Sequence, residues 1–460
     1  MRAAESVTDA TVTEIQHALT EGVTTRREVV EHHLARIAAH NGVVNGFVEL
    51  RADEVLAEAE AADAAHGRRI AGPLDGVPFS VKDSYSVAGL RRTDGLPVNK
   101  DNVDAVDELT VRRLRDAGAL VLGHAAIPDL CIRWNTVSGL YGTTVNPRDV
   151  TRSAGGSSGG DAANVAAGFA TVGIGGDLGG SIRVPASFCG VYGFRPGAGR
   201  VAEYNPNVAE PEGVSHELMC EIGPLARSVT DIETTYDVIR GHHPRDPASI
   251  PGPARPVGER PPVALLRHET GAVLDPAIER SLDETAELLR AEGYTVEEHV
   301  LPDLRRAPDV WAQIIGTELI RDYLPVIGEH VIDSERVHIE EMFGAYEVGG
   351  DVRAYLAAWR ERRALQGVLL EAMEKHPLVL APVAGMPAPP LDFDSFIGRE
   401  ASVALLDRMR CVPWVNLFSL PGLALPNGIQ IVGRRFAEPE VLAAGHAAER
   451  RLPRVTVADL

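Results

Sequence analysis

Three features of the sequence carry residue types that could do chemistry. The first is Lys82, which ends an apolar, strand-like run at residues 76–83 (GVPFSVKD), in a chain with three lysines among 45 basic residues. A charged lysine in such a run is unfavourable, so its ammonium either reaches solvent along its aliphatic stem or loses its proton. Arginine cannot accept a proton near neutral pH and lysine can, which makes Lys82 a candidate base.

The second and third features are glycine-rich segments that contain serines. Residues 155–160 (GGSSGG) precede an alanine-rich stretch, where amides at a helix N-terminus favour negative charge. Helix capping explains one of these serines and does not require four glycines. In residues 175–185 (GGDLGGSIRVP), the glycines before Ser181 let several N–H groups converge beside its hydroxyl, as an oxyanion hole requires. Neither segment continues as a phosphate-binding loop, because no Gly-Lys-Ser or Gly-Lys-Thr follows.

Together, these segments resemble the amidase signature family. The three segments stand in the family's order, with the family's spacings of 75 residues from Lys82 to Ser157 and 24 from Ser157 to Ser181. Shorter matches flank them: YG at 141–142, NP at 146–147, CG at 189–190, GFRP at 193–196 and GPLARSV at 223–229. The resemblance is close over about residues 70–240 and looser elsewhere.

The resemblance implies a Ser-Ser-Lys catalytic triad. Ser181 matches the nucleophile, Ser157 the bridging serine that follows a cis peptide bond, and Lys82 the base. A serine hydroxyl needs a base within hydrogen-bond reach, so Ser157 would relay the proton between Ser181 and Lys82 and return it to the leaving amine. We therefore expect Lys82 to be buried and neutral, with its amine close to Ser157.

Further residues take roles around this triad by the same resemblance. The oxyanion hole corresponds to the backbone amides of Leu178, Gly179, Gly180 and Ser181. Supporting positions are Ser158, Asp177 and Arg183. The loop at residues 131–136 (CIRWNT) lies beside the scissile bond in this family, which suggests substrate contacts from Cys131, Trp134 and Asn135.

The implied function is hydrolysis of a carboxylic amide C–N bond of a small molecule through an acyl-enzyme on Ser181. A carbamate (urethane) hydrolase or an aryl ester or anilide hydrolase with the same triad is an alternative, because all pass through the same acyl-enzyme. Arg133 and Trp134 replace the family's usual small polar residues, and the segment 419–432 looks contracted. A shorter segment at 419–432 and an aromatic residue at position 134 beside the substrate would suit a bulky or aryl substrate.

The elements that must position these residues alternate between helices and strands. Helical patterns at 25–41, 53–68, 106–117, 162–169 and 276–292 alternate with strand-like runs at 77–82, 119–122, 263–266, 295–300, 378–382 and 428–432. This order predicts an α/β fold with a mixed or parallel sheet. The resemblance implies one amidase-signature domain over residues 1–460, with a central mixed β-sheet surrounded by helices.

The residues after the core motifs differ in composition from the segments before them. Residues 251–262 (PGPARPVGERPP) are the best candidate linker, and a lobe at about 263–375 follows on the substrate side. Its helical part carries scattered aromatic residues, most of which we expect to pack in the core: Trp311, Tyr323, Phe343, Tyr355 and Trp359.

The charge and cysteine content of the chain indicate which kinds of partner and which cellular compartment to expect. The net charge of −20 and the pI near 5.2 disfavour nucleic acid and anionic membranes. A reduced cytoplasmic chain is favoured by the four scattered cysteines without a CxxC motif, and by the lack of an apolar leader or a run of about 20 apolar residues. We expect a monomer or homodimer. No cofactor or metal is implied, and we expect the histidine pairs at 32–33 and 242–243 to face solvent.

Two rival functions use parts of the same motifs. Residues 156–160 also fit GxSxG, the nucleophile elbow of α/β-hydrolases, with Ser158 as nucleophile, but that interpretation leaves Lys82 and the Ser181 segment unused. The amidase-type subunit of a tRNA-dependent amidotransferase shares the triad, and the acidic charge and altered 131–136 loop disfavour it. A catalytically inactive homologue has no support, because all three triad positions are filled.

Overall fold

A mixed β-sheet forms the centre of the protein. The computed structural model describes residues 5–208, 213–251, 260–395 and 398–460. The strands in those residues are β1 (Phe47–Leu50), β2 (Pro78–Lys82), β3 (Leu120–Ala125), β4 (Val137–Ser138), β5 (Gly142–Thr143), β6 (Val145–Asn146), β7 (Asp149–Ser153), β8 (Val172–Gly176), β9 (Tyr192–Arg195), β10 (Ile222–Ala226), β11 (Val263–Leu265), β12 (Val296–Glu298), β13 (Leu378–Pro382), β14 (Gly422–Ala424) and β15 (Ile429–Gly433). Eleven form the central sheet, in the order β1-β3-β2-β8-β10-β9-β14-β15-β13-β11-β12.

Parallel pairing occurs in two places within this sheet. β3, β2 and β8 are parallel neighbours, as are β13, β11 and β12, and the remaining neighbours are antiparallel. β4–β5 and β6–β7 form two small separate ladders. The predicted α/β class with a mixed central sheet is confirmed.

Helices cover both faces of the sheet. Within the described ranges they are α1 (Glu5–Thr8), α2 (Val12–Glu21), α3 (Arg26–Val44), α4 (Ala52–His66), α5 (Leu109–Asp116), α6 (Gly159–Ala166), α7 (Arg183–Cys189), α8 (Val214–Met219), α9 (Val229–Ile239), α10 (Pro276–Ala291), α11 (Ala307–Glu318), α12 (Leu324–Ile327), α13 (Asp333–Ala345), α14 (Val352–Lys375), α15 (Gly398–Met409), α16 (Trp414–Leu417) and α17 (Glu438–Glu449). One apolar cluster joins the sheet to α6, α7, α11, α14 and α16, and a second joins it to α5, α9, α10 and α17.

Strand alternation decides which side chains meet α6. On β2, Phe79 and Val81 belong to the apolar cluster on the α5 side. Ser80 and Lys82 therefore point to the opposite face, because successive side chains of a strand alternate. On the neighbouring β8, the residues turned toward α6 are glycines, which leaves room there for the polar side chains of the turn before α6.

Two predicted helices begin at different residues in the structure. α6 begins at Gly159, three residues before the predicted start, and α5 begins at Leu109, after Glu108 in extended conformation. The lobe aromatics belong to the α6-side cluster or pack against it, as predicted. Most of the predicted linker, residues 252–259, lies outside the described residues.

One surface prediction is wrong. His33 is completely buried, and its Nδ1 lies 2.8 Å from the carbonyl oxygen of Val29 one turn earlier in α3. The helical period places this histidine on the inner face, and burial lowers its pKa to about 4. His32, one position before, is half-buried.

Candidate active site

Lys82 ends β2 inside the protein. Its side chain is 3% exposed, and its Nζ donates a hydrogen bond to Ser157 Oγ at 2.8 Å. The prediction that Lys82 is buried within reach of Ser157 is confirmed. An amine held at this distance can accept the serine proton when it is neutral.

The turn that carries Ser157 passes close to other backbone segments. The Gly156–Ser157 peptide bond is cis, as the resemblance implies. A Cβ atom on Gly156 would lie 2.6 Å from the carbonyl oxygen of Arg133, so glycine is required by this close approach. The glycine-rich composition thus serves tight backbone packing rather than linker flexibility.

Ser158 connects this turn to the loop that carries Ser181. Ser158 precedes α6, but its side chain caps no helical amide; instead, its Oγ accepts from Gly176 N at 3.3 Å. Its backbone N–H donates to the carbonyl oxygen of Ser181 at 3.0 Å. The two serine-bearing segments are therefore joined through Ser158.

Ser181 is the last residue of the loop at residues 177–181, hereafter the Ser181 loop. The residue is 7% exposed, and its Oγ makes no hydrogen bond, to Ser157 or otherwise, within the described part of the chain. The amides of Leu178, Gly179 and Ser181 likewise have no acceptor among the described residues. The amide of Gly180 differs from the other three predicted oxyanion-hole amides, because it donates to Asp177 Oδ1 at 2.7 Å.

Asp177 and Arg183 form a buried ion pair across this loop. Arg183 Nε lies 2.9 Å from Asp177 Oδ2, and both side chains are fully buried. Burial alone would raise the pKa of Asp177, but the Arg183 guanidinium and the hydrogen bonds to the carboxylate hold it well below its usual range. Asp177 also accepts from Ile182 N at 3.2 Å, so a charged carboxylate organises the loop from within.

Two residues from the C-terminal part complete this pair and were missed in the sequence. Asn416 in α16 donates from Nδ2 to Asp177 Oδ1 at 2.8 Å, and Arg183 Nη1 donates to Gln430 Oε1 on β15 at 2.8 Å. Each stands alone as an amide in an apolar run, in WVNLF and GIQIV. A polar side chain in such a run is a signal for a buried partner.

Two tryptophans hold the outside of the Ser181 loop. Trp134 Nε1 donates to the carbonyl oxygen of Gly179 at 2.8 Å, and Trp311 Nε1 donates to that of Leu178 at 3.1 Å. Their rings stack with centroids 6.3 Å apart. Trp311 was expected only to pack in the core, and its contact with this loop could not be read from the sequence.

The remaining residues of the 131–136 loop have different surroundings. The thiol of Cys131 interacts with Lys82 and Ser84, and burial raises its pKa. Asn135 is buried, with Nδ2 donating to Leu391 O at 2.7 Å and Oδ1 accepting from Ser153 Oγ at 2.6 Å. The amide of Asn135 is thus used inside the protein, and the substrate contacts expected from Cys131, Trp134 and Asn135 stay predictions.

A buried carboxyl group lies behind Lys82. Asp161 in α6 accepts from Ser80 Oγ at 2.7 Å, and its second oxygen has no partner among the described residues. Complete burial raises the pKa of Asp161 to about 7, against the opposing effects of Ser80 and the Lys82 charge. This carboxyl group therefore titrates near neutral pH in the vicinity of the amine.

The arrangement contains an amine, two serine hydroxyls and unpaired amides, which suit transfer of an acyl group to a hydroxyl. Among the described residues, no three His, Cys, Asp or Glu side chains are grouped so that they could hold a metal ion. In the same residues, no helix has the length and apolar character needed to span a membrane.

Comparisons with known proteins agree with this chemistry. The Amidase family model matches residues 28–442. The chain is 33% identical over 455 residues to an indoleacetamide hydrolase of Bradyrhizobium diazoefficiens, covering 94% of this chain and 85% of that protein. It is 33% identical over 492 aligned residues to a glutamyl-tRNA(Gln) amidotransferase subunit of Oleidesulfovibrio alaskensis, covering 98% and 99%. A solved structure of 6-aminohexanoate cyclic dimer hydrolase with substrate matches with a TM-score of 0.81 and 25% identity, covering 97% and 98%.

Proposed function

The chain belongs to the amidase signature family and acts on amide C–N bonds, and we propose that it hydrolyses a small-molecule carboxylic amide through an acyl-enzyme on Ser181. The observation that carries this proposal is the 2.8 Å contact between Lys82 Nζ and Ser157 Oγ. Ser158, the next residue, is bonded through its backbone to Ser181. A base, a relay and a nucleophile thus occupy connected segments, as acyl transfer requires.

The proposed acylation moves one proton along these residues. Neutral Lys82 accepts the proton of Ser157, which accepts that of Ser181 as the Ser181 Oγ attacks the carbonyl carbon. The oxyanion of the tetrahedral intermediate accepts hydrogen bonds from unpaired amides of the Ser181 loop. The proton returns through Ser157 to the leaving nitrogen, the C–N bond breaks, and the amine departs. Water, deprotonated by the same route, then hydrolyses the Ser181 ester.

An aryl or otherwise bulky substrate is supported by the sequence of the 131–136 loop and by a named relative. Arg133 and Trp134 stand where the family usually has small polar residues. The indoleacetamide hydrolase relative is named for a primary amide that carries an aromatic ring. Carbamates, anilides and aryl esters with similar groups pass through the same acyl-enzyme and are included in the proposal as alternatives.

The second candidate is a component of a tRNA-dependent amidotransferase. The relatives named as subunits of glutamyl-tRNA(Gln) amidotransferase support it, because one aligns with 98% of this chain at 33% identity. The net charge of −20 argues against contact with a tRNA backbone. An enzyme that works alone on small amides, as a monomer or homodimer in a reducing cytoplasm without a cofactor, is therefore favoured.

A substrate panel with the purified chain tests the proposal. Primary aryl amides, anilides, aryl carbamates and nitrophenyl esters are incubated with the chain alone, and released ammonia, amine or phenol is measured. We expect turnover of at least one amide, and Ser181→Ala is expected to abolish both turnover and covalent labelling by a fluorophosphonate. Turnover that requires a second protein and tRNA would favour the amidotransferase alternative. Label lost in Ser158→Ala but kept in Ser181→Ala would favour the nucleophile-elbow alternative.

A further inference from the structure

We propose that Trp134 and Trp311 are positioning residues for the oxyanion hole. Trp311 holds the carbonyl of Leu178 so that the amide of Gly179 faces the reacting carbonyl, and Trp134 holds the carbonyl of Gly179 away from that position. The inference rests on the proposed function, because it assumes that Ser181 attacks within this loop. It assigns to two indole N–H groups a role in transition-state stabilisation that acts through the backbone.

Both indoles are held tightly against the loop. Trp134 is 4% and Trp311 is 5% exposed. A Cβ atom on Gly179 would lie 2.5 Å from Cζ2 of Trp311, so the ring occupies the space that any side chain at this position would need. The hydrogen bonds of 2.8 Å and 3.1 Å are therefore made by rings with little freedom to move.

The peptide geometry connects each carbonyl to one amide. In a trans peptide unit, the C=O of one residue and the N–H of the next point in opposite directions. Trp311 holds the carbonyl of Leu178 and so directs the unpaired amide of Gly179 to the other side of the loop. Trp134 holds the carbonyl of Gly179 and so directs the amide of Gly180, which donates to Asp177.

The carbonyls of Asp177 and Gly180 are held in the same way. Asn416 Nδ2 donates to the carbonyl oxygen of Asp177 at 2.8 Å, and Val184 N donates to that of Gly180 at 2.7 Å. All four carbonyls from Asp177 to Gly180 are thus bonded away from the reacting position. Rotation of any of these peptide units toward that position would break a hydrogen bond and present an oxygen where the oxyanion forms.

Polarisation adds to orientation. A hydrogen bond accepted by a carbonyl strengthens the donor on the same peptide unit, by roughly 10–30% per bond in condensed-phase estimates. Trp311 acts on a free amide and Trp134 acts on an amide already bonded to Asp177. Loss of the Trp311 donor is therefore expected to weaken the oxyanion hole more than loss of the Trp134 donor.

The chain supplies a matched control in Trp414. This residue is also fully buried, but its Nε1 has no hydrogen-bond partner among the described residues. Trp414→Phe removes an indole N–H from the core without removing a bond to the Ser181 loop. This control therefore shows how much of an effect comes from the smaller ring, and how much from the lost hydrogen bond to the loop.

The test compares Trp134→Phe, Trp311→Phe and the double variant with Trp414→Phe, using a p-nitroanilide and a trifluoromethyl ketone that adds to the nucleophilic serine. We expect Trp311→Phe to lower kcat about tenfold, to change KM less than twofold and to weaken trifluoromethyl ketone binding about tenfold. Trp134→Phe follows with about a threefold loss, and Trp414→Phe keeps the wild-type values. If a phenylalanine variant fails to fold, 3-benzothienylalanine at the same position keeps the bicyclic shape without the N–H.

Two results would overturn the inference. A rise in KM with unchanged kcat would mean that the rings bind substrate rather than position the loop. Variants that match Trp414→Phe in kcat and in ketone affinity would remove any role for the indole donors. Fluorophosphonate labelling of the wild type distinguishes failure of this inference from failure of the proposed function. If Ser181 is labelled but the tryptophan variants keep wild-type kcat and ketone affinity, only this inference is overturned. If Ser181 is not labelled, the proposed function is overturned as well.

Discussion

Two buried arginine–aspartate pairs hold segments of the candidate site, and they differ in how completely their polar atoms are satisfied. In the first pair, Arg183 and Asp177 are bonded to each other, to loop amides and to the side-chain amides of Asn416 and Gln430. Each charge therefore has several compensating partners. This is the condition under which a buried ion pair can give a rigid, specific arrangement.

The second pair is less complete. Arg133 Nε donates to Asp394 Oδ2 at 3.0 Å, while its Nη1 lies 3.5 Å from Glu335 Oε2 and makes no hydrogen bond within the described chain. Neither carboxyl oxygen of Glu335 has a hydrogen-bond partner among the described residues, and Nε2 of His338 has none either. Burial raises the pKa of Glu335 well above its usual range, against the effect of Arg133.

The two pairs hold different parts of the candidate site: the loop that we propose performs the chemistry, and the loop that we expect to border it. The Asp177–Arg183 pair spans six residues and holds the Ser181 loop, whereas the Arg133–Asp394 pair joins positions 261 residues apart and holds the 131–136 loop. Oxyanion stabilisation requires donors that do not reorganise during the reaction. The 131–136 loop, which we expect to border the substrate, would tolerate a less completely bonded ion pair whose strength depends on pH.

Among the substitutions that test the contrast between the two ion pairs, the largest effect is expected from Asp177→Asn. The substitution leaves Arg183 buried beside a neutral amide, which should cost about 3–5 kcal/mol of unfolding free energy and about 10²–10³ in kcat. Because the folded-state pKa of Asp177 is lowered, its contribution is complete above the unfolded value of 3.8 and is lost as pH falls through the folded value. Denaturant unfolding at pH 7 and pH 3 should therefore give a smaller difference at pH 3, and an equal difference would contradict the role of the charge.

A smaller effect is expected from Gly179→Ala. The added methyl group would displace the Trp311 ring, so we expect kcat to fall by about one order of magnitude, roughly 1.4 kcal/mol in barrier. Gly367→Ala is the matched control, because no atom of the described residues lies within 4 Å of a Cβ added to this exposed glycine in α14. It should keep wild-type kcat and gain about 0.5–1 kcal/mol of stability. Equal kcat in both variants would contradict a close fit between loop and ring.

The second pair is tested by Glu335→Gln. The folded-state pKa of Glu335 is raised, so its neutral form stabilises the fold below the unfolded value of 4.5, and this contribution is lost as pH rises toward the folded value. Relative to wild type, the glutamine variant should gain about 1–2 kcal/mol between pH 4.5 and pH 8, with kcat unchanged at pH 7. A loss of stability at pH 8 would mean that ionised Glu335 is an effective partner of Arg133.

The same contrast explains how far the sequence could predict the molecule. Lys82, Ser157 and Ser181 stand in glycine-rich or strand-like segments whose local pattern is diagnostic, and β13 (Leu378–Pro382) matches its predicted run residue for residue. Asn416 and Asp394 could not be assigned, because the partners of a buried polar side chain depend on packing across more than 200 residues. A single sequence carries periodicity and local turn chemistry, but not those distant pairings.

The predicted oxyanion hole illustrates this limit within one motif. The four amides of residues 178–181 were expected to act together, yet the Gly180 amide is bonded to Asp177. A pattern of glycines predicts that amides converge, and it does not determine which amide closes the turn. The contact between Trp311 and Leu178 likewise depends on where α11 docks, which no local pattern specifies.

The most direct test of the central claim is the activity of Lys82→Arg beside Lys82→Ala. Arginine keeps the positive charge but cannot accept a proton near neutral pH, so both variants should lose at least about 10³-fold in kcat/KM if Lys82 is the base. Circular dichroism and thermal unfolding of both variants verify that the fold is retained. Nearly equal, severe losses are the result that this account predicts. An arginine variant with more than about a tenth of the wild-type rate, a barrier change below roughly 1.4 kcal/mol, would contradict it, because charge alone would then be sufficient.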